Sequence, residues 1–155
     1  MRHKPIKSKL FVQNRKRISD LMASRALAVV NANDVLPTNA DGTLPMQPNA
    51  DLFFLTGIEQ EESILVLFPE AVDEKHREIL FVRQPNEHLQ IWEGYKHTKA
   101  DVRKISGIKN VQWLTEFPVL FRSLMCESES AYLNSNEYKR ANVEMETRDV
   151  RFIRQ

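Results

Sequence analysis

The chain has 155 residues and a formal net charge of +1. That length suits one domain around a single core and is short for a two-domain enzyme. The charges alternate in sign, leaving no basic stripe for nucleic acid or an anionic membrane, and no apolar run approaches the roughly 20 residues that span a bilayer.

Met1-Arg2-His3-Lys4 is followed by Pro5, Lys7 and Lys9 rather than an apolar run, which argues against a secretory signal and leaves residues 1–7 as a flexible N-terminus. Residues 8–24 read as an amphipathic helix, with Phe11, Ile18, Leu21 and Met22 at helical spacing and Arg15, Lys16, Arg17 and Asp20 on the other faces. Ala26 to Val30 has the length and character of a strand, and Asn31 to Gly42 collects the Asn, Asp, Pro and Gly of a loop. Leu52-Phe53-Phe54-Leu55 forms a dense apolar patch closed by Gly57, expected in the core. Ser63 to Phe68 is the most apolar strand and is expected at the centre of a sheet.

Pro69 to His76 is turn-like, so Glu78 to Val82 pairs antiparallel with the preceding strand, because the connection is too short for a parallel crossover. Glu87 to Trp92 and Lys99 to Ile105 read as short helices, Val111 to Trp113 as a strand, and Phe117 to Met125 as a helix with Pro118 near its first turn. Ala131-Tyr132-Leu133 is a last strand, and Asn136 to Arg148 is helix-forming but poor in apolar residues. No repeat or low-complexity tract is visible. The expectation is an α/β domain in which helices flank a mixed β-sheet.

Chemistry-bearing groups are sparse. His3, His76, His88 and His97 lack metal-ligand spacing, and the four glycines are too far apart for a phosphate loop. Glu59, Glu61 and Glu62 could in principle bind a divalent cation, but a solvated loop is the simpler reading. Cys126 cannot form an internal disulfide, and in Leu124-Met125-Cys126 it reads as a small buried core residue with no nearby His or Asp to activate it. Trp92 and Tyr95 flank Glu93-Gly94 in a polar segment where a loop could display an aromatic face to a ligand or a partner subunit; packing alone is the competing reading.

Three elements in order resemble the N-terminal domain shared by Xaa-Pro aminopeptidases, prolidases and creatinases. Leu44-Pro45-Met46-Gln47-Pro48-Asn49-Ala50-Asp51-Leu52-Phe53-Phe54-Leu55-Thr56-Gly57 is similar to the segment in which an aromatic-Pro-aromatic-Arg-Gln lead precedes Asn-Ser-Asp-Phe-aromatic-Tyr-Leu-Thr-Gly. Glu62 to Pro69 resembles the family's Pro-Glu-Ala-Val-Leu-Val-Leu strand. Ile79-Leu80-Phe81-Val82-Arg83, followed by Gln90-Ile91-Trp92-Glu93-Gly94, resembles its Leu-Phe-x-x-Arg strand and Glu-x-Trp-x-Gly element. Gln47-Pro48 departs from the family's Arg-Gln, Tyr95 precedes Lys96 where a basic residue is common, and Glu61-Glu62 replaces a Glu-Pro pair.

The resemblance implies a creatinase/prolidase-type, ribonuclease H-like domain over 8–135, with 136–155 as a helix or linker towards a separate peptidase domain. In that family the catalytic domain holds two divalent metals, usually manganese, on two Asp, one His and two Glu, and the metals activate water to cleave the bond before proline. Those motifs are not in this sequence, so neither catalytic nor metal-binding residues are expected here. The implied roles are oligomerisation, as a dimer or tetramer, and control of substrate access. Trp92, Gly94, Tyr95 and Asp51 are the candidate contacts to proline-containing peptides or a neighbouring subunit, in a cytoplasmic enzyme. The rivals are a stand-alone binding or scaffold module of the same fold and, more weakly, a small enzyme using Cys126 or the acidic run.

Overall fold

A computed structural model describes residues 6–36, 38–39, 42–85 and 94–134. Helix α1 (Ser8–Ser19) leads into strand β1 (Ala26–Asn31), helix α2 (Ala50–Thr56), strands β2 (Ile64–Leu67) and β3 (Glu78–Val82), helix α3 (Lys99–Ser106), strand β4 (Asn110–Trp113), helix α4 (Phe117–Glu127) and strand β5 (Ser130–Leu133). The expected helix at 87–92 and the segment 136–148 lie outside the described residues. The sheet runs β4-β3-β2-β1-β5, so β2 is central as its composition predicts. β2 pairs antiparallel with β1 and β3, while β3–β4 and β1–β5 are parallel, which makes the sheet mixed.

Side-chain alternation along the strands divides the core between the two faces. Ala28, Val30, Leu65, Leu67, Leu80 and Val82 meet Leu52, Leu55 and Val102 from α2 and α3 on one face. Leu27, Val29, Val66, Phe68, Ile79 and Phe81 meet Leu124, Phe117, Leu120 and Phe121 of α4 on the other. Both faces are covered by helices, so β1 to β3 read as continuous apolar runs.

Three local expectations are corrected. Helix α1 stops at Ser19, where i→i+3 bonds from the amides of Leu21 and Met22 replace the helical ladder, and Leu21 is 84% exposed. Within the apolar patch, 50–56 is a helix capped by Asn49, whose side chain accepts from the amides of Asp51 and Leu52. Helical spacing turns Leu52 and Leu55 inward and leaves Phe54 57% exposed. Cys126 is exposed on α4, because its neighbour Leu124 takes the inward position.

Helices α2 and α3 end in the same way, a similarity that sequence inspection missed. Leu52-Phe53-Phe54-Leu55-Thr56-Gly57-Ile58 and Val102-Arg103-Lys104-Ile105-Ser106-Gly107-Ile108 each place a hydroxyl before a left-handed glycine and a buried Ile. Thr56 donates to the Leu52 carbonyl at 2.7 Å and accepts from the Ile58 amide, and Ser106 does the same with Val102 and Ile108. Helix α1 crosses both ends. The Arg15 Nη1 donates to the carbonyls of Leu55 at 2.8 Å and Ser106 at 3.0 Å, satisfying oxygens left over at the two C-termini.

Candidate functional rim

Strands β1, β3, β4 and β5 all point the same way, so their carboxyl ends share one edge of the domain, the end at which open α/β sheets carry their sites. The connections that meet there supply a rim. Asn33 and Gln47 follow β1, Gln60-Glu61-Glu62 precedes β2, Arg83 follows β3, and Gly94 to Thr98 enters α3.

The rim is cross-linked by polar groups. Asn33 donates to the Gln47 carbonyl and accepts from Asn49, both at 3.0 Å, which ties the loop after β1 to the cap of α2. The Glu61 carboxylate receives Lys96 and lies 3.9 Å from Arg83, whose Nε is 3.7 Å from Glu62. Burial pushes the Glu61 carboxyl up, but the Lys96 hydrogen bond, a backbone hydrogen bond and the charges of Lys96 and Arg83 hold it below the usual glutamate value. Glu61 is therefore a partly buried ion-pair partner rather than a member of the solvated loop expected from sequence. Beside it, Gln60 is buried and accepts from the His97 amide at 2.8 Å. Glu62 adopts φ +53°, a left-handed conformation that non-glycine residues seldom take and that this turn enforces.

The entry to α3 is equally constrained. Thr98 caps the helix in a reciprocal capping box with Asp101, and the Tyr95 hydroxyl donates to the same Asp101 oxygen at 2.6 Å. The hydroxyl of Thr98 first, then Tyr95, brings the Asp101 carboxyl down to about 2. The bond to Asp101 pushes the Tyr95 phenol up. Tyr95 is 69% exposed, its ring set edge-on to His97 at 5.9 Å.

Of the residues singled out in the sequence, Gly94 and Tyr95 stand together on this rim. Gly94 has φ +77° with open space where a side chain would project. Tyr95 lines a hollow of about 320 Å³ with Met46, Pro48, Gln60, Glu61 and His97. Asp51 is on the same edge but lines a separate apolar groove of about 490 Å³ with Phe54, Arg17 and Tyr132. Trp92 lies outside the described residues. Sequence reasoning missed Gln60 and Asp101 and, although it singled out Glu61 in an acidic run, missed its ion pairs; the usable signal was the matching cations, Arg83 and Lys96, that flank the Trp-x-Gly segment. Among the described residues no three His, Cys, Asp or Glu side chains stand close enough to hold a metal ion, and no helix is long and apolar enough to cross a membrane.

The mixed sheet, its helix-covered faces and the sequence resemblance at 44–57, 62–69 and 79–83 point to the amino-terminal domain of an aminopeptidase. The family described as aminopeptidase P, N-terminal domain, matches residues 11–133, and the chain belongs to it. Xaa-Pro aminopeptidase 3 of Dictyostelium discoideum is 25% identical over 146 residues, covering 92% of this chain and 28% of the relative. The Xaa-Pro aminopeptidase of Escherichia coli is 23% identical over 133 residues, covering 86% of this chain and 30% of the relative. A structure of the Escherichia coli aminopeptidase P in complex with substrate superposes with a TM-score of 0.75 at 23% identity, over 90% of this chain and 31% of that one. The chain thus spans about three tenths of the length of the curated relatives it matches.

Proposed function

We propose that the domain is the non-catalytic N-terminal part of an Xaa-Pro aminopeptidase, a metallopeptidase that removes the residue ahead of proline. In this reading its rim narrows access to a neighbouring catalytic pocket and contributes to subunit contact. The supporting observation is Tyr95, an exposed aromatic ring fixed by its bond to Asp101 and next in sequence to the segment that resembles the family's Trp-x-Gly element. Rigid aromatic side chains at a surface give contact area at little entropic cost. Val35, Leu36 and Leu44, exposed on the loop after β1, add apolar area; the Leu44 amide donates to the Leu36 carbonyl at 2.9 Å.

The proposed domain covers 8–135, and 136–155 leads to a C-terminal catalytic domain that holds the two divalent ions, manganese by resemblance. The whole enzyme works in the cytoplasm as a dimer or tetramer on proline-containing peptides; a single cysteine, with no internal disulfide to form, suits a reducing compartment. Replacing Trp92 or Tyr95 by Ala in the complete enzyme raises KM for peptides of three residues or more. Kinetics and oligomeric state both unchanged would contradict the access reading.

A further inference from the structure

The rim hollow beside Tyr95 contains a buried donor with nothing to donate to. Gln60 is 6% exposed, and its Oε1 accepts from the His97 amide at 2.8 Å, an orientation fixed because a backbone N–H can only donate. That leaves Nε2 as the free end of the side chain, and it finds no acceptor among the described residues. Buried polar groups are nearly always paired, and an unpaired one is costly. Gln60 lines the hollow of about 320 Å³, so a pairing group can enter from the rim. Met46, Pro48 and the Tyr95 ring form its apolar walls, and the Tyr95 hydroxyl bond to Asp101 holds that ring in place. The charged walls are Glu59 and Glu61 against Lys96, which is already bonded to Glu61. Two carboxylates against one ammonium disfavour an anion, while the unpaired N–H calls for an acceptor.

We propose that this hollow is a peptide subsite, in which Gln60 Nε2 donates to a neutral backbone carbonyl of an extended peptide and the side chain beside that carbonyl packs on Tyr95, Met46 and Pro48. A carbonyl is the acceptor that the charge balance favours, and a flat apolar residue such as proline suits an aromatic wall. The donor is already held by the His97 bond, so little freedom is lost in ordering it on binding. The inference rests on the access role proposed for the rim, and it names what the rim would hold: an uncharged stretch of a proline-containing peptide.

The probe is acetyl-Ala-Pro-Ala-amide, which carries carbonyls and no charge, titrated into the isotope-labelled 155-residue chain and followed by NMR. Saturable shifts of the Gln60 side-chain amide and the His97 backbone amide in the millimolar range are expected, while acetate at the same concentration moves neither. Gln60→Glu keeps an acceptor for His97 and turns the free donor into an acceptor, so affinity falls roughly tenfold at neutral pH. Met46→Trp fills the hollow from its wall without touching the bond between Gln60 and His97, and it weakens binding to a similar extent. In the complete enzyme Met46→Trp raises KM for tripeptides and longer roughly three- to tenfold with kcat nearly constant. Absence of saturable shifts at Gln60, or unchanged affinity in folded Gln60→Glu and Met46→Trp chains, overturns the subsite whatever the peptidase data show. Shifts at Gln60 that grow with protein concentration in the absence of peptide overturn it in favour of a second copy's backbone. Binding to this chain that Gln60→Glu abolishes, with unchanged KM in the complete Met46→Trp enzyme, keeps the subsite and removes the access role.

Discussion

Arg15 and Glu78 form an ion pair with 3.1 Å between Nη2 and Oε2, although the charge pattern of α1 assigns Arg15 to the solvent face. Arg15 is fully buried, and the pair joins α1 to the start of β3 while the other guanidinium nitrogen bridges the ends of α2 and α3. Glu78 is 36% exposed and can be solvated without Arg15, so the cost of removing Arg15 falls on the Leu55 and Ser106 carbonyls, and a buried polar group left unpaired costs about 1–3 kcal/mol. Arg15→Ala therefore lowers the unfolding free energy by about 3 kcal/mol in a denaturant titration. Arg15→Lys recovers little, because one ammonium cannot reach two carbonyls and a carboxylate in fork geometry. A loss below about 1 kcal/mol for Arg15→Ala would mean that the bridge is dispensable.

The glycines rank by what surrounds them. At Gly57, φ is +71° and an added Cβ would lie 2.4 Å from the Phe11 ring. At Gly107, φ is +75° and the contact is Val12 Cγ2 at 2.8 Å, while at Gly94 nothing lies within 4 Å. Thermal unfolding should show Gly57→Ala the most damaging, Gly107→Ala next, and Gly94→Ala limited to about 1 kcal/mol for the left-handed backbone alone. Equal losses at all three would remove the packing of α1 as the cause.

Acid titration has a definite sign. Asp101 is held at about 2, below its ordinary value of 3.8, and Glu61 is held below 4.5. Both groups bind protons more readily when unfolded, so their contribution is complete above the unfolded values and is lost as pH falls through the folded ones. For Asp101 that window runs from about pH 4 down to about pH 2. Asp101→Asn flattens the pH dependence of Tm there, and a variant that kept the native slope would show that the capping box is not its source.

Cys126 reacts with a thiol reagent in the native chain at a rate close to that of a small-molecule thiol, because the side chain is exposed. Protection until unfolding would restore the core assignment that its apolar neighbours favoured in the sequence.

Most of the fold was legible because strand composition reports burial directly. Leu65-Val66-Leu67 and Leu80-Phe81-Val82 are apolar without alternation because helices cover both sheet faces, which also marked β2 as central. The helix at 50–56 was harder to see, since its hydrophobic residues run consecutively and Asn49 is the main local sign of a start. Arg15 was assigned wrongly because periodicity treats every cation as solvent-seeking, whereas its partners are carbonyls distant in sequence. The rim was half visible: the Trp-x-Gly resemblance marked Gly94 and Tyr95. The role of Glu61 depends on Arg83 and Lys96 arriving from two other parts of the chain.

The most direct measurement is hydrolysis of an Xaa-Pro peptide with added manganese, run in parallel on this 155-residue chain and on the product of its complete reading frame. Turnover only by the longer product is the result predicted for a non-catalytic N-terminal domain. Turnover by the short chain would contradict that role and require a catalytic site within these residues, and inactivity of both would leave a binding module of the same fold.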